Sequence, residues 1–123
     1  MKLSEAILLG AMMKPQGGPG TGDRSAPATC AYGAARDAMA SDISIDRLWP
    51  WLLSLPIDTT CPECGKSCKA VGRTMAYGLV PHLNNDHTWT RERIAAWVAT
   101  IEPQEEPVQA PEERQADALP LAE

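Results

Sequence analysis

Four residues in the middle of the chain have the types and the spacing of a metal site. Cys61, Cys64, His82 and His87 form a Cys-x2-Cys-x17-His-x4-His pattern. Thiolate sulfur and imidazole nitrogen are ligands that zinc prefers, and four protein ligands make a closed site that serves structure rather than catalysis. The first pair lies in the run CPECG, in which Gly65 allows the tight turn that brings both thiolates to one metal. We therefore predict a structural Zn²⁺ ion.

The ligand set has one alternative. The 17 residues between the two pairs exceed the usual length of about 12–15 residues for a finger of this ligand type. Cys68 follows four residues after Cys64 and is a possible substitute ligand in a Cys3His site. We interpret Cys68 as a thiol that does not bind the metal, because its use as a ligand would leave one histidine without a role.

Disulfide bonds are the other common use of four cysteines in a short chain, and they require a secreted context. The N-terminal residues form only a short apolar stretch that contains Glu5, which makes a poor signal peptide and is too short to cross a membrane. We therefore expect a cytoplasmic protein with reduced, metal-bound thiols and no membrane association.

The composition predicts a small domain with little core material. The 123 residues include no phenylalanine, two tyrosines and four tryptophans. A core this lean needs additional stabilisation, and structural zinc supplies about 10–16 kcal/mol of apparent binding energy in finger peptides. The net charge of −5 belongs to the C-terminal end: residues 102–123 carry seven acids and one arginine, so the remainder is close to neutral.

The pattern of apolar residues, caps and prolines predicts a mainly α fold of short helices, with little strand and a small zinc-stapled, finger-like α+β segment. We divide the chain into five parts. They are an N-terminal helix (1–14), a flexible Gly/Pro linker (15–28), a helical segment (29–57), a zinc-binding module with a C-terminal helix (58–102) and a disordered acidic tail (103–123).

Several local signals place these elements. Ser4 and Thr29 are predicted caps of the first and second helices, and the small residues of the second helix permit close packing against a neighbour. A short helix that ends before Pro56 is expected, in a stretch where Pro50 can begin a helical turn but would damage the middle of one, and a strand is expected within residues 71–80. Pro81 suits the first position of a short helix that carries His82. Thr90 is the expected cap of the last helix, with apolar residues on either side of it.

Two sets of residues are candidates for contact with a partner. Trp49 and Trp51 beside Pro50 are candidates for a protein-binding patch, although burial is the commoner fate of tryptophan in a chain with few aromatic residues. Five basic residues surround the predicted zinc site and are candidates for nucleic-acid contact: Lys66, Lys69, Arg73, Arg91 and Arg93. The segment from residue 59 to residue 101 has a charge of only +2, which is weak for binding phosphates.

Two stretches carry a resemblance. The residues LSEAI, GAM and KPQ within 3–16, and the run HLNNDHTWTRERIAAWV at 82–98, resemble a group of small, uncharacterised proteins of tailed phages and prophages. The resemblance covers most of residues 1–101. It implies a phage or prophage origin and a host cytoplasm, agrees with His82 and His87 as ligands, and implies no activity.

The function expected from these features is non-enzymatic. The histidines are assigned to metal, a closed site has no open position for water, and no catalytic constellation stands out. We expect a zinc-stabilised protein-binding regulator or adaptor. The alternatives are a zinc-finger nucleic-acid-binding regulator and a minor structural component of a virion.

Overall fold

The structure is a computed structural model that describes residues 1–17 and 27–103. The described chain contains five α-helices: α1 (Leu3–Ala11), α2 (Ala31–Met39), α3 (Ile45–Leu48), α4 (Leu79–Asn85) and α5 (Arg91–Ile101). Three short 3-10 turns lie at Pro50–Ser54, Lys69–Val71 and Ala76–Gly78. Within these residues, extended pairing is limited to two isolated bridges, Gln16 with Thr29 and Thr60 with Ser67. The predicted mainly α architecture with little strand is confirmed.

Helix α1 packs against both α2 and α5, so the N-terminal helix lies against the C-terminal helix of the zinc-binding segment. Its inner face is fully buried at Leu3 and Ile7. The closest approach is at Gly10, where an added Cβ atom would lie 1.8 Å from the carbonyl oxygen of Ala34 in α2. Only a glycine permits this contact, because any side chain at Gly10 would overlap the backbone of α2.

The start of α1 differs from the prediction. Ser4 is not the cap, since Lys2 occupies that position and Ser4 lies inside the first turn. The N–H of Ser4 donates to Glu102 Oε1 at 3.1 Å, and its hydroxyl donates to the second carboxylate oxygen. Glu102 is buried. A side chain just beyond α5 therefore satisfies one of the unpaired backbone donors of α1 and places a negative charge at the positive end of that helix.

Helix α2 is also capped from a distance. The cap position belongs to Cys30, and the N–H of Ala31 donates to Oδ1 of Asn84, a buried residue of α4, at 3.2 Å. The predicted cap Thr29 is wrong: it is fully buried in the bridge with Gln16, and its hydroxyl accepts a hydrogen bond from Arg91. The physical reason is that Thr29 is held by tertiary contacts that local sequence does not encode.

The segment around the paired tryptophans is split at Pro50. Helix α3 ends at Leu48, and a 3-10 turn begins at Pro50, so the short helix expected before Pro56 is divided into two pieces. Trp49 is fully buried, and its ring N–H donates to the backbone oxygen of Met1 at 3.0 Å. Trp51 is partly buried and packs against the core. The candidate partner-binding role of Trp49 is therefore wrong, because a partner cannot reach a side chain with no exposed surface.

The strand predicted within residues 71–80 is absent from the described chain. These residues form the end of one 3-10 turn, a second 3-10 turn and the start of α4. Gly72 has a φ of +82°, a left-handed conformation that ends the first of these turns and prevents an extended strand. Helix α4 begins two residues earlier than expected, so Pro81 is its third residue, where no intrahelical N–H bond is required.

The predictions for α5 are confirmed. Thr90 is the cap, and its hydroxyl oxygen accepts a hydrogen bond from the N–H of Arg93 at 3.1 Å. Trp89 before the cap and Ile94 after it are both buried. Residues 18–26 of the predicted linker and 104–123 of the predicted tail lie outside the described residues. None of the helices in the described part of the chain has the length and apolar character needed to cross a membrane.

Candidate metal centre

The first pair of ligands lies on a tight turn that we call the cysteine turn (residues 61–65). The backbone N–H groups of Glu63 and Cys64 point at Cys61 Sγ, at 3.3 and 3.5 Å. The N–H of Gly65 donates to the carbonyl oxygen of Cys61 at 2.8 Å, and Gly65 has a φ of +73°. The turn therefore needs glycine at this position, and its backbone dipoles favour a negatively charged sulfur at Cys61.

The second pair of ligands is held by α4 and the residues after it. His82 is buried on α4, and His87 follows the end of the helix. The backbone N–H of His87 donates to the carbonyl oxygen of His82 at 3.3 Å. The chain therefore turns back over the end of α4, and both imidazole rings face the cysteine turn.

The four predicted ligands come together. One ligand atom from each of Cys61, Cys64, His82 and His87 lies within 4.8 Å of all the others. The Sγ atom of Cys64 lies 3.7 Å from Nε2 of His82, and the two histidine Nε2 atoms are 3.0 Å apart.

These distances fit zinc. Zinc–sulfur bonds near 2.3 Å and zinc–nitrogen bonds near 2.0–2.1 Å give a tetrahedron with a sulfur–nitrogen edge of about 3.6 Å and a nitrogen–nitrogen edge of about 3.3 Å. The two measured edges, 3.7 and 3.0 Å, lie within a few tenths of an ångström of these values. The donor set of two sulfurs and two nitrogens is the one that zinc prefers, so the residues present fit this metal.

The electrostatics of the cluster differ between its two cysteines. The hydrogen bond to His82 lowers the pKa of the Cys64 thiol to about 6, and the backbone N–H of Lys66 acts in the same direction. Burial raises the pKa of Cys61. The lowered pKa favours the thiolate form of Cys64, which is the form that binds metal.

Cys68 is not part of the cluster. It is fully buried, and its sulfur faces the carbonyl oxygens of Met75 at 2.9 Å and Arg73 at 3.4 Å. Burial raises its pKa, which favours the neutral thiol as a hydrogen-bond donor. Its role as a substitute ligand is therefore wrong in this structure, because its S–H is occupied by backbone oxygens.

A contact that the sequence did not reveal joins the cysteine turn to the start of α5. The ring N–H of Trp89 donates to Glu63 Oε1 at 2.9 Å. The guanidinium carbon of Arg93 lies 3.7 Å from the centre of the Trp89 ring, and one of its nitrogens is 3.6 Å from the same carboxylate oxygen. This Glu63–Trp89–Arg93 cluster runs alongside the metal centre. The position of Glu63 between the two cysteines was the one available signal.

The basic residues considered for nucleic-acid contact are not arranged as one surface. Arg91 is buried, and its guanidinium donates to Thr29 and to the carbonyl oxygen of Ala11, so its assignment to nucleic acid is wrong. Arg93 is exposed but lies against Trp89 and Glu63. Lys66 and Lys69 are exposed, and Arg73 is partly buried. Few free positive charges therefore remain beside the metal centre.

Comparison with known proteins adds no functional information. No protein-family model matches the chain, and neither a curated protein nor a solved structure matches it.

Proposed function

We propose that the protein is a small, zinc-stabilised, non-enzymatic module that binds another protein as a regulator or adaptor, encoded by a phage or prophage. The observation that supports the zinc site most directly is the convergence of two sulfurs and two imidazole nitrogens within 4.8 Å. Four protein ligands fill a tetrahedral zinc shell and leave no position for water or substrate. The metal would therefore stabilise the fold rather than perform chemistry.

The proposed zinc ion would join a segment with little regular structure to α4. Among described residues, the stretch between the 3-10 turn at Pro50–Ser54 and α4 has no α-helix and only one isolated bridge. A metal bond from Cys61 and Cys64 to α4 and to the residue after it would add to the stability that the buried side chains of this segment supply.

The partner contact in this proposal lies on α1. Four apolar side chains at the C-terminal end of α1 and just beyond it are exposed: Leu8 (45 %), Leu9 (42 %), Met12 (83 %) and Met13 (56 %). Methionine adapts its shape to varied apolar surfaces, and grouped exposed apolar side chains are typical of protein contacts. The occupant we propose is an apolar face of another protein. This α1 surface (Leu8, Leu9, Met12 and Met13) replaces the tryptophan pair as the candidate contact.

The zinc site is tested by metal content and by ligand variants. Purified protein is expected to contain about one zinc per chain by elemental analysis. Cys61→Ser and His87→Ala should each lose the metal and most of the helical circular dichroism, because structural zinc energy is folding energy. Cys68→Ser is the matched control and should keep its zinc. Full zinc retention in a His82/His87 double alanine variant would contradict the site.

The partner surface is tested separately. Leu9→Glu with Met12→Glu should abolish capture of specific proteins from a bacterial host lysate while leaving zinc content unchanged. Leu53→Glu, which changes another exposed leucine outside α1, is the matched control. Light scattering of the purified protein distinguishes self-association from a different partner. Equal recovery of the same proteins by wild type and the double variant would remove α1 as the contact.

A further inference from the structure

The carboxylate of Asp86 contacts the metal cluster from outside. Its Oδ2 atom lies 2.8 Å from Nδ1 of His82, four residues earlier in the chain. The side chain of His82 is 7 % exposed, whereas that of Asp86 is 57 % exposed. Asp86 therefore holds a buried ligand ring from the solvent side, and its own side chain fills no part of the core.

This hydrogen bond selects the form of His82 that binds metal. A carboxylate accepts a hydrogen bond, so Nδ1 carries a proton, and in the metal-binding form of the ring Nε2 gives up any proton and offers its lone pair to the metal. That Nε2 atom is the one that faces Cys64 Sγ at 3.7 Å and His87 Nε2 at 3.0 Å. The opposite tautomer would set the lone pair of Nδ1 against the negative carboxylate and turn an N–H toward the metal position.

The position of Asp86 on the chain supports a specific role. It directly follows α4, and its backbone N–H donates to the carbonyl oxygen of His82 at 2.9 Å. An acid at the C-terminal end of a helix meets the negative end of the helix dipole, which is unfavourable. The contact with His82 is the compensating interaction in this structure.

We propose that Asp86 is the positioning residue of the metal centre, which fixes the tautomer and the orientation of His82 so that Nε2 points at the metal. This inference rests on the proposed zinc site. Asp86 is not itself a ligand, because its oxygen binds the ring nitrogen opposite to Nε2. Outer carboxylates that orient a ligand histidine typically raise metal affinity 10–100-fold.

The test compares three variants of the full chain. Asp86→Ala removes the acceptor, Asp86→Asn keeps an oxygen acceptor without the charge, and Glu92→Ala removes an exposed acid of α5 as the matched control. Zinc dissociation constants are measured by competition with a chromophoric chelator. Visible absorption of the Co²⁺-substituted proteins reports the ligand geometry, which a purely structural role of Asp86 would not change.

We expect Asp86→Ala to bind zinc about 10–100-fold more weakly, with an altered Co²⁺ spectrum, and Asp86→Asn to recover part of the affinity. Glu92→Ala should match the wild type. If the wild type binds zinc and Asp86→Ala binds it with the same affinity, this inference is overturned and the proposed function stays intact. An Asp86→Ala variant that stays unfolded at saturating zinc would also overturn this inference, because Asp86 would then be required for folding itself. A wild type that binds no zinc would overturn the proposed function itself.

Discussion

The contact between α1 and α2 at Gly10 permits a quantitative test of the packing. Replacing Gly10 with alanine adds one methyl group on the face of α1 that meets α2. That Cβ atom would lie 1.8 Å from the carbonyl oxygen of Ala34 and 2.3 Å from its carbonyl carbon. Both are backbone atoms inside a helix, so no side-chain rotation relieves the overlap.

Two opposing terms set the size of the effect. Alanine favours a helix interior over glycine by about 1 kcal/mol. Restoring an ordinary carbon–oxygen contact of about 3.4 Å requires the two helices to separate by about 1.5 Å, and overpacking of this kind costs about 1–3 kcal/mol or more. Separation also loosens the buried contacts of α1 with α2. Because the overlap is with backbone, the overpacking cost lies at the upper end of its range, about 3 kcal/mol, and subtracting the propensity gain of about 1 kcal/mol leaves a net loss of about 2 kcal/mol in the free energy of unfolding.

The assay is thermal and urea unfolding of the zinc-loaded protein followed by circular dichroism. For a chain of this size, a loss of about 2 kcal/mol lowers Tm by roughly 6–12 °C. Gly78→Ala is the milder comparison: its added Cβ atom would lie 3.2 Å from the Cβ, Cγ and Cδ atoms of Arg73, a contact that a shift of a few tenths of an ångström relieves. We expect a change of less than about 0.5 kcal/mol there. A Gly10→Ala variant as stable as the wild type would refute the close crossing of α1 and α2.

Three further predictions address buried polar groups and thiols. Glu102→Ala should destabilise the fold by about 1–3 kcal/mol in urea unfolding, because it leaves the buried donors of Ser4 without an acceptor; no change would rule out this cap. Arg91→Ala should lower the free energy of unfolding by about 1.5–3 kcal/mol. Arg91→Lys should restore little of this stability, because one ammonium group does not reproduce the two directed guanidinium contacts. Full recovery of stability with lysine would contradict those contacts. In zinc-loaded protein, mass spectrometry of alkylated peptides should show the partly exposed Cys30 modified before Cys64, because zinc protects the more exposed thiol; the reverse order would argue against bound metal.

Local signals account for the parts of the fold that the sequence predicted. Thr90 caps α5 through a bond to Arg93, three residues away, and this contact needs no tertiary information. The ligand pattern also relies on local geometry, because two residues between cysteines and four between histidines bring each pair to one side of the chain. The sequence could therefore predict the candidate metal residues and the last helix.

The incorrect predictions share a different cause. Ser4 and Thr29 have the types of helix caps, but Glu102 and Asn84 satisfy the donors at the starts of α1 and α2. These two acceptors lie 98 and 53 residues away in the chain, Glu102 just beyond α5 and Asn84 in α4. Their roles depend on how helices pack, which propensity does not describe. The contact of Asp86 lies between these two cases, because it is local but was not predicted. Asp86 is four residues from His82, a spacing that brings side chains together on a helix.

The contacts at the start of α5 connect the candidate metal centre with α1. On one side, Trp89 is bonded to Glu63 of the cysteine turn. On the other side, the side chain of Gln16 donates to the carbonyl oxygen of Trp89 and accepts from the N–H of Arg91. The guanidinium of Arg91 then reaches the last residue of α1 at Ala11. These contacts run through Trp89, Gln16 and Arg91. Displacement of the candidate metal ligands would therefore disturb the end of α1 through hydrogen bonds as well as through the apolar core. The proposed zinc ion would thereby help to hold the surface of α1 in place, although none of its ligands belongs to that helix.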